Sequence, residues 1–186
     1  MSVRRLVNAA AAVALAVIIC SCARDGAERN DPMKIQLTSP SFKEGQPIPA
    51  KHTCKGADTS PALAWDAAPE GTKSIALIMD DPDAPRGAWA HWALWNLRPE
   101  ARSLPEAVPN EPALDGGAKQ GKNDSGQVGY SGPCPPPGKP HRYYFKLYAL
   151  DAQLTLKEGV AQKADLVAAM KGHILAEGQT MGTFAR

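Results

Sequence analysis

"SIALIMDDPDAPRGAWAHWALWNL", residues 74–97, sets two apolar runs on either side of a polar, proline-stiffened middle. Ser74 to Met79 has strand length and no polar alternation, so it reads as a central strand covered on both faces. His91 to Leu97 reads as a second strand, with Ala93 and Trp95 on the side of His91. Between the runs stand Asp80, Asp81 and Asp83 with Pro82 and Pro85. A turn needs one or two such residues, and this is a cluster. The prolines preset the backbone and reduce the entropy lost on holding one loop shape. Such stiffness suits a site better than a plain connection.

Working outward, "KIQLT" (34–38), "ALAW" (62–65) and "HRYYFKLYAL" (141–150) also have strand length and composition. Segments rich in turn residues, at 69–71, 114–126 and 132–140, separate them. The 141–150 run alternates: His141, Tyr143, Phe145 and Leu147 share one face, Arg142, Tyr144 and Lys146 the other. Residues 165–177 read as a helix capped by Asp165, with Leu166, Met170 and Ile174 on one face and Gly178 as the stop. No internal repeat is found, and the uneven spacing argues against a propeller. The expected fold is mostly β: an antiparallel β-sandwich, a large central sheet on a smaller one, with a few peripheral helices.

The chain ends set the compartment. "MSVRR" is basic, and Leu6 to Ile19 is apolar apart from Asn8. Such a run is too short for a membrane span, which needs roughly 20 residues, and suits a signal peptide. Ser21 before Cys22 is similar to a bacterial lipobox, so residues 1–21 are expected to be a lipoprotein signal peptide and Cys22 the acylated mature N-terminus. Residues 22–32 then form a flexible tether, and 33–186 one domain large enough to bury a core. Removing 1–21 takes away Arg4 and Arg5 and no acid, leaving 19 basic residues against 19 acidic. A neutral chain carries no basic footprint for nucleic acid and no polybasic patch for anionic lipid. Membrane attachment is expected through the acyl anchor, in an exported protein of the cell envelope, facing the periplasm if the cell is Gram-negative. In that oxidising compartment the domain's two cysteines, Cys54 and Cys134, read as a disulfide.

Two histidines thus open two strands, and Asp81 and Asp83 close a third. If those strands are neighbours in suitable directions, the groups meet at one sheet rim. Asp81, Asp83, His91, His141 and Tyr143 admit four readings. They can be a braced surface loop with capped histidines. They can hold a metal, although no H-x-H, H-E-x-x-H or C-x-x-C spacing accompanies them. They can hydrolyse, although no G-x-S-x-G elbow occurs and no nucleophile is committed. Or they can recognise a small anionic or zwitterionic group, through imidazoles, the Tyr143 hydroxyl and backbone near Gly129, Gly132 and Gly138. In that last reading Asp81 orients His91 by accepting its other N–H, or meets a ligand ammonium.

"DPDAPRGAWAHW" (81–92), followed by "GYSGPCPPPGKPHRYYFKLYAL" (129–150), resembles the two signature regions of the phosphatidylethanolamine-binding protein family, also called Raf kinase inhibitor proteins. "CKGADTSPALAW" (54–65) and "GTKSIALIMDDPDAP" (71–85) are similar to its bacterial branch. The resemblance covers the domain from about Lys34 onward. It implies a large antiparallel sheet packed on a smaller one, and a small pocket for phosphate-like anions or phosphoethanolamine head groups. The implied ligand-binding residues are Asp81, Pro85, Trp89, His91, Gly132, His141 and Tyr143, with Asp83 bracing the loop. Cys134 stands where animal members carry a pocket glycine. No catalytic residue, metal or cofactor is implied. The expected function is non-enzymatic binding by a lipoprotein, with inhibition or regulation of a secreted or envelope hydrolase, and hence an envelope protein partner, as the alternative.

Overall fold

The computed structural model describes residues 32–186. The expected signal peptide, the acylated Cys22 and the tether through residue 31 lie outside the described residues.

In chain order the elements are β1 (Met33–Lys34), β2 (Leu37–Thr38), β3 (Leu63–Trp65), β4 (Ser74–Asp81), β5 (Trp89–Leu97), β6 (Ser103–Leu104), β7 (Lys119–Gln120), β8 (His141–Leu150), α1 (Lys163–Met170) and β9 (Ile174–Phe184). Six strands form one sheet in the order β1-β9-β8-β4-β5-β7, and β2-β3-β6 form a second. All pairings are antiparallel except β1 with β9. The expected 34–38 strand splits. Lys34 belongs to the large sheet and Leu37 to the small one, so the chain changes sheets at Ile35–Gln36.

β4 is central and buried along its whole length. Ile75, Leu77 and Met79 join Leu37, Leu63 and Trp65 of the small sheet, with Trp92, Phe145 and Leu147, in the main core. Ala76 and Ile78 face the other way, onto Trp95, Leu166 and Met170 under α1. Two apolar faces on one strand explain why its sequence does not alternate.

The expected helix over 165–177 is half right. Helix α1 begins at Lys163 with Gln162 at its N-cap, and Asp165 sits inside it, accepting the Gln162 N–H at 2.9 Å. Gly172, at φ 83°, reverses the chain after Met170, and Ile174 onward pairs with β8 from Leu150 back to His141. Tertiary pairing overrides helix propensity there. The inward face of β9 is small because chain lies on it. A Cβ on Gly178 would stand 2.2 Å from the Ile35 oxygen, and one on Gly182 2.5 Å from Ile48 Cγ1.

Candidate functional site at the rim of the large sheet

β4 lies between β8 and β5 and runs antiparallel to both. Its C-terminal end therefore meets the first residues of both neighbours. Asp81 pairs with Trp89 on β5, and one step past the Asp80–Tyr144 pair the β8 register brings it beside Tyr143. Two histidines and two aspartates thus reach one rim, as their positions in the sequence require if the three strands are adjacent.

His91 arrives there by a register change. Met79 pairs with Trp92, but Asp80 pairs with Ala90, so His91 is an extra residue opposite β4. In strict alternation it would lie on the Ala93 and Trp95 side, under α1. The bulge turns it to the opposite face, where its ring stands edge-on to Tyr143 with centroids 5.3 Å apart. Bulges next to sites re-aim side chains in this way.

The hydrogen bonds differ from the expected set. Asp81 orients His141, not His91: Oδ2 lies 2.8 Å from His141 Nδ1, while Oδ1 accepts the Asp83 N–H at 2.8 Å. His91 instead donates Nδ1–H to the Ser131 carbonyl at 2.6 Å, and the Ser131 N–H returns to the His91 carbonyl at 3.0 Å. Asp124 fastens the neighbouring Ala90 N–H at 2.7 Å. Burial lowers the His91 pKa below 6.5, opposed by the Ser131 carbonyl and by the carboxylates of Asp81, Asp124 and Asp58. Asp83 grips Arg142 through both carboxylate oxygens, at 2.9 and 2.7 Å, and accepts its backbone N–H at 2.9 Å. That guanidinium is the main reason the Asp83 pKa falls from 3.8 to about 2.

Tyr143 is fully buried, and its hydroxyl has no hydrogen-bond partner among the described residues. Burial, then the nearby Asp81 carboxylate, raises its pKa. Gly132 has a packing requirement of its own. Its N–H goes to Asp58 Oδ1 at 2.7 Å, and a Cβ there would stand 2.4 Å from both that oxygen and the His52 carbonyl oxygen. Glycine is required by the 52–58 segment packed against it. Gly129 packs likewise on Asn110, while Gly138 meets nothing nearby. Cys54 and Cys134 are disulfide-bonded with Cα atoms 5.4 Å apart, tying the same segment to the rim.

All seven expected ligand-binding residues line one cavity of about 400 Å³, together with Ala84, Arg86, Ser125, Ser131, Pro135 and Pro136. The sequence reading missed Ser131, which holds His91 through a backbone carbonyl and so leaves no side-chain signal. It also missed Asp58, inside "CKGADTSPALAW", whose φ of 54° marks a constrained turn visible only in the structure. Asp80, next to Asp81, points away from the cavity and is held by Lys146, at 2.9 Å, and by Lys163. Among the described residues no group of three or more His, Cys, Asp or Glu is placed to hold a metal ion.

Residues 38–185 match the family model described as phosphatidylethanolamine-binding protein. The chain belongs to the phosphatidylethanolamine-binding protein family. It is 47% identical over 152 residues to a UPF0098 protein of Methanothermobacter thermautotrophicus, covering 82% of this chain and 99% of that one. A UPF0098 protein of Aquifex aeolicus is also 47% identical, over 154 residues, covering 82% of this chain and 89% of the relative. Among solved structures, one described as a phosphatidylethanolamine-binding protein homologue from Chlamydia trachomatis has 43% identity and a TM-score of 0.74, covering 82% of this chain and 98% of its own. YbcL of Escherichia coli, described as a new member of the mammalian family, has 34% identity and a TM-score of 0.77, covering 82% and 99%. This family member thus sits with bacterial and archaeal relatives over its whole described domain.

Proposed function

We propose that this protein is a non-enzymatic binding protein whose rim cavity takes a phosphate-type anion or a phosphoethanolamine head group, and that acylation of Cys22 holds it at a membrane of the cell envelope. One observation carries the binding role. The Tyr143 hydroxyl is buried at the cavity without a partner. A buried, unpaired hydroxyl is unfavourable by roughly 1–3 kcal/mol on mutational scales, and a ligand oxygen relieves this. The rest of the site supports the same use. Asp81 and both Nδ1 atoms are engaged within the protein, so the walls are fixed in shape before a ligand arrives.

Calorimetry of the full-length protein with phosphoethanolamine tests the reading. Saturable one-to-one binding is expected, weakened about tenfold in Tyr143→Phe, the loss of one hydrogen bond to a charged group. No saturable binding in the wild type sinks it. The anchor has its own test: Cys22→Ala should release the protein from the membrane fraction, and unchanged fractionation removes the acyl group from the proposal.

A further inference from the structure

Each imidazole at the rim has one nitrogen already committed. A carbonyl oxygen only accepts, so the 2.6 Å approach of His91 Nδ1 to the Ser131 oxygen puts a proton on Nδ1. His141 Nδ1 likewise faces Asp81 Oδ2 at 2.8 Å. Neither Nε2 has a hydrogen-bond partner among the described residues. In a neutral ring so held, Nε2 is a lone pair, and it accepts. Asp81 is engaged by His141 and by the Asp83 N–H, and its carboxylate also lies beside the Tyr143 hydroxyl. The Tyr143 hydroxyl can donate or accept.

The charges around His91 come from several elements. Asp81 approaches from β4, Asp124 from the segment after β7 and Asp58 from the segment bonded to Gly132. Arg86 on the β4–β5 loop lines the cavity, whereas Arg142 is committed to Asp83. Three carboxylates against the Arg86 guanidinium, with exposed Arg186 reaching Cys134 at the edge, make a poor home for a dianion. An oxyanion without a proton also sets its oxygens against the His91 Nε2 lone pair. One that carries an O–H satisfies His91 Nε2 with it and accepts from Tyr143 with another oxygen.

Resting on the binding role above, we propose that the cavity selects singly charged oxyanions that bring their own proton, dihydrogen phosphate and singly protonated phosphate monoesters, and rejects sulfate and phosphodiesters. The phosphate of an intact phospholipid is a diester and that of free phosphoethanolamine a monoester. The same head group is therefore taken free and refused while still esterified to lipid.

Calorimetry of the full-length protein at pH 7.5, in two buffers of different ionisation enthalpy, tests this with methyl phosphate, dimethyl phosphate and sulfate. A monoester's second ionisation lies near pH 6, so binding the protonated form should draw about one proton from the buffer. Dimethyl phosphate and sulfate should bind about tenfold more weakly or worse, because they leave a buried acceptor unpaired. His91→Asn keeps an N–H for Ser131 and removes the far ring nitrogen, so it should bring the ratios towards one. Equal affinity for ester and diester, or no proton uptake with methyl phosphate, overturns the selection and leaves the binding role standing. Failure of all three anions and phosphoethanolamine to bind removes both.

Discussion

Asp81 Oδ2 and His141 Nδ1 lie 2.8 Å apart across the β4–β8 pairing, with side chains only 5% and 13% exposed. The carboxylate thus fixes which nitrogen of His141 carries a proton, and His91 gets the same service from a backbone carbonyl. One sheet rim uses two different devices for one purpose.

Asp81→Asn therefore acts first on His141. The amide can still accept the Asp83 N–H, but its NH2 then confronts Nδ1–H, and His141 is expected to move its proton to Nε2. Long-range proton–nitrogen correlation spectra of the two histidines should show His141 changing tautomer and His91 unchanged. Phosphoethanolamine binding should weaken about tenfold or more, within the range for a hydrogen bond to a charged group.

Asp83 contributes acid-sensitive stability. Its folded pKa of about 2 lies below the ordinary 3.8, so its contribution is present above about pH 4 and fades as pH falls towards 2. The Asp83–Arg142 pair is partly exposed and screened by solvent, which keeps its contribution small. Asp83→Asn should lower Tm slightly at pH 7, less in high salt, and leave it unchanged at pH 2. Thermal melts across that range check the sign.

His91 works in a different window. Its folded pKa is depressed by burial, so the fold favours the neutral ring. That contribution is complete above about pH 6.5, the ordinary histidine value, and is lost as pH falls towards the lower folded value. The wild type should lose Tm below pH 6.5 more steeply than His91→Asn, which retains a donor for Ser131. Parallel curves for the two proteins would assign the acid sensitivity elsewhere.

The disulfide closes a sequence separation of 80 residues, for which the chain-entropy model gives roughly 4.5 kcal/mol. Cys54→Ser with Cys134→Ser should fold with a markedly lower denaturation midpoint. Non-reducing peptide mapping should show one cross-linked pair. The double variant should also weaken phosphoethanolamine binding, because Cys134 lines the cavity.

Gly178 and Gly182 test the packing on β9. Gly178→Ala forces a methyl to within 2.2 Å of the Ile35 backbone oxygen, which cannot rotate away. Gly182→Ala meets the flexible Ile48 side chain instead, at 2.5 Å. Both should destabilise by roughly 1–3 kcal/mol, Gly178→Ala the more, as read from urea unfolding.

The strands 62–65, 74–79, 91–97 and 141–150 were legible because their own residues make the core. β9 was not, because its inward positions Ala176, Gly178, Thr180 and Gly182 carry little apolar signal. They are small to admit the 35–48 segment, a fact of tertiary packing. The seven cavity residues were legible as a group, from the two motifs and the strand ends. Their partners were not. Alternation puts His91 on the wrong face, and only the register reveals the bulge. Sequence adjacency equally suggests a tie from Asp81 to His91, whereas the pairing register delivers His141.

The extra residue at His91 has a wider effect on how this chain can change. Trp92 and Leu94 must keep their places in the main core, and His91 must face the cavity, and the bulge meets both demands within one pair of residues. Trp92 still joins the two, its ring edge-on to Tyr130 at 5.6 Å, beside the Ser131 that holds His91. A one-residue deletion at Ala90 removes the bulge at a stroke, because the imidazole then follows the alternation of the strand and goes under the helix.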